Sequence, residues 1–139
     1  NTADLGAGIY NAGIGTIHAS IIANNRASGG SLANCMGTLT TLGFNLSDAS
    51  SCSFGATDFP DTDPKFGSYG MHHVSYPDLP TYSLLLGSPA IDAADPASTI
   101  LEDERGFPRP MDGNRDGSAI NDIGAYEFQL PFFLPLICK

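Results

Sequence analysis

DERGFPRPMDGNRDGSAINDIGAYEF, residues 103–128, decides the reading of the fold. It carries four Asp, two Glu and three Arg, half of the six Lys and Arg in the chain, so charge of both signs is concentrated in one segment. The segment opens on a Pro-rich turn and closes on a strand-like run, Asp122 to Phe128. Between them Asp112, Asn114 and Asp116 alternate and Gly117 follows. Oxygen-bearing side chains at alternate positions before a Gly are the first half of a calcium loop. Asp122 is the nearest later carboxylate, one place early for the twelfth position of such a loop, and the bidentate Glu that would complete it is missing. Two readings stay open: a weak calcium site on Asp112, Asn114, Asp116 and Asp122, or an acidic turn whose Asp and Asn cap their own backbone. Either way the segment is expected to be a C-terminal plug.

Upstream lies GSPAIDA, residues 87–93, and near the start GIYNAG, residues 8–13. With Arg105-Gly, Arg109-Pro and DIGAYE (122–127), these runs keep an order that resembles bacterial surface proteins of the right-handed parallel β-helix class, the choice-of-anchor or polymorphic-outer-membrane-type repeat family. The resemblance covers most of residues 4–128. It implies an all-β fold, a short right-handed parallel β-helix with a C-terminal cap, and a secreted or cell-surface location. It implies no reaction, since folds do not fix functions. It also implies a disulfide between Cys35 and Cys52, which flank one coil-length segment; two buried free thiols are the alternative. Closing such a loop contributes about 3 kcal/mol, and a disulfide points to an oxidising compartment. Cys138 is left over.

Periodicity gives a second line toward the same fold. Ile17, Ala19 and Ile21 alternate onto one face, as do Leu42, Phe44 and Leu46, with Asn45 and Ser47 outward. The spacing from Ile17 to Leu39 and from Ile21 to Phe44 suggests one solenoid coil. Coils are expected over about 5–52, a loop over 53–82, the cap over 83–128 and an apolar tail over 129–139. Leu84, Leu86 and Ile91 are expected in the core. The loop is acidic and Pro-bearing, and its His72-His73 pair is read as exposed, because neighbouring residues in a strand point opposite ways. Asn45-Leu46-Ser47 matches a glycosylation sequon and is read as a turn. The opening residues read like the middle of a coil, so a processed chain or a piece of something longer is expected.

Bulk properties exclude several classes. The chain has 139 residues and a formal net charge of −9, leaving few cations to neutralise phosphates, so nucleic acid is not an expected partner. No apolar run approaches the roughly 20 residues of a membrane span. Enzymes occur among parallel β-helices, but the six cations (Arg26, Lys65, Arg105, Arg109, Arg115 and Lys139) are not placed one coil apart, and the acids lie outside the repeat strands. Paired carboxylates on adjacent coils, as glycoside hydrolysis requires, are missing from the pattern, and no nucleophile-elbow motif occurs. No catalysis is expected. Arg105 and Arg109 are read as structural bridges to Asp92, Asp122 or Glu127, for which guanidinium geometry is suited.

The tail, QLPFFLPLICK (129–139), is unlike the rest. Burying Phe132, Phe133, Leu134, Leu136 and Ile137 would contribute roughly 1.5–3 kcal/mol each before ordering costs. The expected function is therefore a secreted or cell-surface structural protein, extracellular, that assembles with copies of itself head-to-tail into a filament or surface layer, or that adheres to cell-surface glycans. The alternative of a different class is a carbohydrate-binding or carbohydrate-cleaving β-helix module.

Overall fold

The computed structural model describes residues 1–72 and 79–130. Its strands are β1 (Thr2–Ala3), β2 (Ile9–Asn11), β3 (Thr16–Ile17), β4 (Ile21–Ile22), β5 (Arg26–Ala27), β6 (Cys35–Gly37), β7 (Thr40–Thr41), β8 (Leu46–Ser47), β9 (Phe66–Gly70) and β10 (Thr81–Leu84). Short strands follow from the sequence. Ala19, Asn24 and Phe44 stand at positive φ (46°, 59° and 57°), as does Gly43 at 93°. Each takes the chain out of the extended region, so no run of alternation lasts more than a few residues.

The fold is all-β, but the expected right-handed parallel β-helix is not formed. The described strands make five separate sheets of two strands each. Four pairs are parallel: Thr2 beside Arg26, Ile9 beside Cys35, Thr16 beside Thr40, and Ile21 beside Leu46. The fifth, β9 with β10, is an antiparallel hairpin. A solenoid buries a continuous core only by stacking three or more repeats, and among the described strands no ladder gains a third; Phe59 adds only a single parallel bridge to Leu46 of β8. Beyond β8 the chain turns to the hairpin and then to a cap without regular strands. The register also differs from the periodic reading. Ile21 meets Leu46, not Phe44, and Ile17 meets Thr41, not Leu39. Leu42 is exposed, and Leu86 is 69% exposed, outside the core that holds Leu84 and Ile91.

Two apolar clusters result. One gathers Cys35, Cys52, Leu39 and Ile22. The other gathers Leu46, Leu84, Ala90, Ile91, Ala94, Ile123 and Phe128, with Ile21, Phe66, Tyr126 and Leu130 against it. The second therefore ties the parallel ladders, the hairpin and the cap into one core. Cys35 and Cys52 are disulfide-bonded, with Cα atoms 4.9 Å apart, closing a loop across the first cluster.

Much of the interior is polar. Asn45 and Ser47, expected outward, are fully buried, as is Asn34. Asn45 Oδ1 accepts Ser20 N at 3.1 Å, and its Nδ2 donates to Thr41 Oγ1, Gly43 O and Asp58 Oδ1 at 2.9, 3.1 and 2.9 Å. Asp58 in turn accepts Asn45 N and Gly55 N, and receives the Thr41 hydroxyl. Burial works to raise the Asp58 pKa, but these hydrogen bonds from Thr41, Gly55 and Asn45 outweigh it and hold it below the usual carboxylate value. Asn34 does similar work one ladder away, accepting Asn25 N and donating to Ser47 Oγ and Asp48 Oδ1. With strands this short, side-chain amides satisfy backbone groups that a wider sheet would pair.

Candidate ligand-binding groove

The hairpin supplies the aromatic face of the molecule. Tyr82 lies opposite Tyr69 and Leu84 opposite Phe66, with a register shift between the two pairs. That irregularity turns Leu84 into the core while Tyr82 stays 45% and Tyr69 61% exposed. The Phe66 and Tyr82 rings stack at 4.8 Å, and Tyr69 lies tilted against Tyr82, also at 4.8 Å. Offset stacking of this kind holds the rings in place. Gly67 permits the close strand approach, since a Cβ there would stand 2.4 Å from Ser83 Oγ.

Beside this strip runs a groove of about 450 Å3. Ile21, Leu84 and Ile123 contribute to its lining, Phe66, Tyr82 and Tyr126 bring aromatic rings, and Ser20 and Thr81 bring hydroxyls. A second lobe of about 340 Å3 shares Ile21, Phe66 and Tyr82 and continues past Ile9, Ile22 and Asn25. The cap closes onto β4 through Gly124, whose N donates to Ala19 O at 3.0 Å and whose φ is 94°. A Cβ at Gly124 would stand 3.1 Å from Ile21. Tyr126 is held by the Arg105 guanidinium 3.6 Å from its ring centroid and by the His72 ring edge-on at 5.8 Å.

Buried charges fix the cap that carries Tyr126. Asp103 Oδ2 receives Arg105 Nε and NH2 at 2.8 and 2.6 Å, together with Glu127 N at 3.0 Å. Arg105 NH2 also donates to Glu127 O. Arg105 thus pairs with Asp103, two residues away, instead of Asp92, Asp122 or Glu127. Arg109 Nε lies 3.2 Å from Glu127 Oε2, at an angle that makes a charge contact without a hydrogen bond, and its NH2 donates to Gly124 O at 2.7 Å. Glu127 accepts Asp122 N and Met111 N. Asp122 accepts Asp92 N at 2.8 Å and Phe128 N at 2.5 Å. Burial pushes the Asp122 carboxyl up to about 7 against the pull of the Asp92 hydrogen bond, and the neighbouring Glu127 and Asp92 charges add to the rise. Burial also raises Glu127, only partly offset by its backbone hydrogen bonds and Arg109.

The loop expected to hold calcium is engaged with its own backbone. Asp112 accepts Asp116 N and Gly117 N, Asn114 accepts Asp116 N, and Asp116 accepts Ser118 N. Asp92 receives Asn114 N at 2.8 Å and anchors the loop. Asp122 is 1% exposed and turned to the cap interior, bound to other backbone groups. Among the described residues no group of three or more His, Cys, Asp or Glu is placed to hold a metal ion. Across a recess of about 160 Å3, His18 Nε2 stands 3.7 Å from Asp95 Oδ2, while Ser98 Oγ accepts Asn121 Nδ2. Asn45 of the sequon is fully buried with its Nδ2 donating. Phe132, Phe133, Leu134, Leu136 and Ile137, expected in assembly, lie outside the described residues, as do His73 and Cys138. Among the described residues no helix is long and apolar enough to cross a membrane.

Sequence reasoning missed Phe66, Tyr69, Tyr82 and Tyr126 as a group. Residues 53–82 were expected to be an irregular loop because acids and prolines dominate their first half. The available signal was local: FGSYG and TYSL set aromatics among Gly, Ser and Thr, a composition suited to a twisted hairpin. No family model matches the chain, and no curated protein or solved structure was found to be similar to it.

Proposed function

We propose that the chain is an extracellular or cell-surface adhesive module that holds a glycan in the groove beside Phe66, Tyr82 and Tyr126. The observation that carries this reading is the groove itself, an apolar trough walled by rings whose positions are fixed by stacking. Sugar rings present C–H faces edged by hydroxyls, and amphipathic aromatic rings suit such ligands because they offer an apolar face and a polar tip. The Cys35–Cys52 disulfide supports an oxidising compartment. Co-sedimentation with insoluble polysaccharides tests the proposal. The intact chain is retained, and Tyr82→Ala with an unchanged melting midpoint weakens retention by about tenfold, equivalent to about 1.4 kcal/mol. Equal retention of both proteins removes the groove from the account.

Self-association is a second reading, favoured by the apolar run at 132–137 and by Leu130, which already packs against the main core cluster. Removing residues 131–139 and measuring mass in solution tests it. A truncated chain that associates as the intact one does would rule the tail out.

A further inference from the structure

We infer that the ligand class is a neutral polysaccharide chain, bound along both lobes, and not an anionic glycan; the inference rests on the adhesive reading above. Three observations converge. The first is charge. The side chains that line the two lobes are apolar, aromatic, hydroxyl or amide, with no ionised side chain among those described. Arg105, whose guanidinium lies against Tyr126, has its charge matched by Asp103 at 2.6 Å. The chain as a whole carries a formal −9. The Asn1 α-ammonium borders the second lobe and donates to Asn25 Oδ1 at 3.5 Å. In the first lobe, a uronate, sialic acid or sulfate would lose hydration, meet no counter-charge among the described side chains and approach against the field of the molecule.

The second observation is shape. Ile21, Phe66 and Tyr82 line both lobes, so the stacked Phe66–Tyr82 pair stands at a waist between them. A single sugar fills one side of the waist; a chain of linked sugars passes over it and uses both. The third is the poverty of fixed polar groups. The Ser20 amide is taken by Asn45 and its hydroxyl by His18 O, while among the described residues the Thr81 hydroxyl has a long contact, 3.5 Å to Tyr82 O. Recognition by ring faces with so few aimed hydrogen bonds discriminates poorly among sugar stereochemistries and strongly against charge.

Affinity electrophoresis and calorimetry on the intact chain separate the parts of this inference. The probes are hydroxyethyl cellulose, polygalacturonate, and cello-oligosaccharides of two and six units. Hydroxyethyl cellulose retards the protein and polygalacturonate does not, at low salt. The six-unit oligosaccharide binds at least tenfold tighter than the two-unit one. Ala23→Arg, which places a long side chain in the second lobe only, reduces that advantage to less than threefold, with the melting midpoint measured alongside. If polygalacturonate binds as well as the neutral polymer, the charge argument is wrong while the adhesive reading stands. If the two oligosaccharides bind equally, the chain-spanning argument is wrong. Absence of binding to every glycan, or displacement of a bound glycan by an unrelated extended apolar peptide, overturns the adhesive reading and this inference with it.

Discussion

Replacing Asp122 by Asn isolates the charge most out of place in the molecule. Asp122 is 1% exposed, its oxygens accept Asp92 N and Phe128 N, and burial beside Glu127 and Asp92 raises its carboxyl from 3.8 to about 7. The folded state therefore binds this proton more tightly than the unfolded state does. The stabilising proton is fully present in both states below the unfolded value near 3.8, and in neither above the folded value near 7. Between those limits the native state holds more protons, so stability falls as pH rises, by at most 1.36 kcal/mol per pH unit and about 4 kcal/mol over the whole window. Glu127, also raised, acts in the same direction. Asp58, held low, acts oppositely and only in acid below its ordinary 3.8, where stability is lost as pH falls through the folded value. From these groups maximum stability is expected near pH 4, at the foot of the Asp122 window.

Asp122→Asn keeps the volume and removes the titration. It also sets an amide NH2 where one carboxylate oxygen received a backbone N–H, which costs about 1–3 kcal/mol. By pH 5 the parent has already lost about 1.6 kcal/mol of the proton's contribution, so the variant there lies within about 1.5 kcal/mol of the parent, and by pH 8 it is the more stable of the two. The assay is urea unfolding at pH 5, 6, 7 and 8, followed by tyrosine fluorescence, since the chain has no Trp. A constant gap between parent and variant across all four pH values would refute the reasoning, because it would mean that Asp122 carries the same charge throughout.

Four further outcomes are expected. Cys52→Ser loses about 3 kcal/mol, from reopening a loop of 17 residues, measured as a shift in the urea midpoint. Asn45→Ala leaves Ser20 N without its acceptor and strips Asp58 of one donor; a loss under about 2 kcal/mol would show the hub to be dispensable. Arg109→Met removes the partner of buried Glu127 and costs about 3 kcal/mol at pH 8 but less at pH 5, where Glu127 takes up a proton more readily; a pH-independent loss would contradict the pairing. Chelator leaves the melting midpoint within about 1 °C, because Asp112, Asn114 and Asp116 are satisfied by backbone N–H groups; a rise on adding calcium would restore the calcium loop.

What could be read in advance divides along physical lines. Turn-rich composition and short alternations gave an all-β chain, and Ile21, Leu46, Leu84 and Ile91 do contribute to the interior. Register could not be read, because alternation holds only within an unbroken strand. Phe44 at φ 57° and Gly43 at φ 93° form a corner, and carrying Leu42–Phe44–Leu46 across it as one face put Asn45 and Ser47 on the wrong side. Polar residues inside are the hardest feature to see from one chain, since Asn45 is satisfied by Ser20 and Asp58, distant in sequence. Arg105 found Asp103 two residues away through a turn in which Asp103 Oδ1 also accepts Arg105 N and Phe107 N; composition named the ions but not their partners. The aromatic groove joins β4, the hairpin and the cap, three segments whose contact no local pattern encodes.

The same polar residues that obscure the fold in the sequence are what make the groove a fixed shape. Asn45 holds Ser20 and so the entry to β4, while Asp103, Arg105, Arg109 and Glu127 hold the backbone around Gly124 and Glu127 that carries Tyr126. Opposite walls thus rest on separate buried networks, joined where Gly124 meets Ala19. Each network is satisfied by several partners at once, so its members resist individual movement more than strands two residues long would. A groove held in this way loses little freedom when a ligand enters, and a surface with few aimed hydrogen bonds depends on that economy for any affinity it has. Loosening the cap would therefore weaken the proposed glycan binding even where no groove-lining ring is changed. Arg109 is not among the groove-lining side chains described, yet it holds Gly124 O behind the wall, so it is one position at which the proposed glycan binding would be coupled to stability.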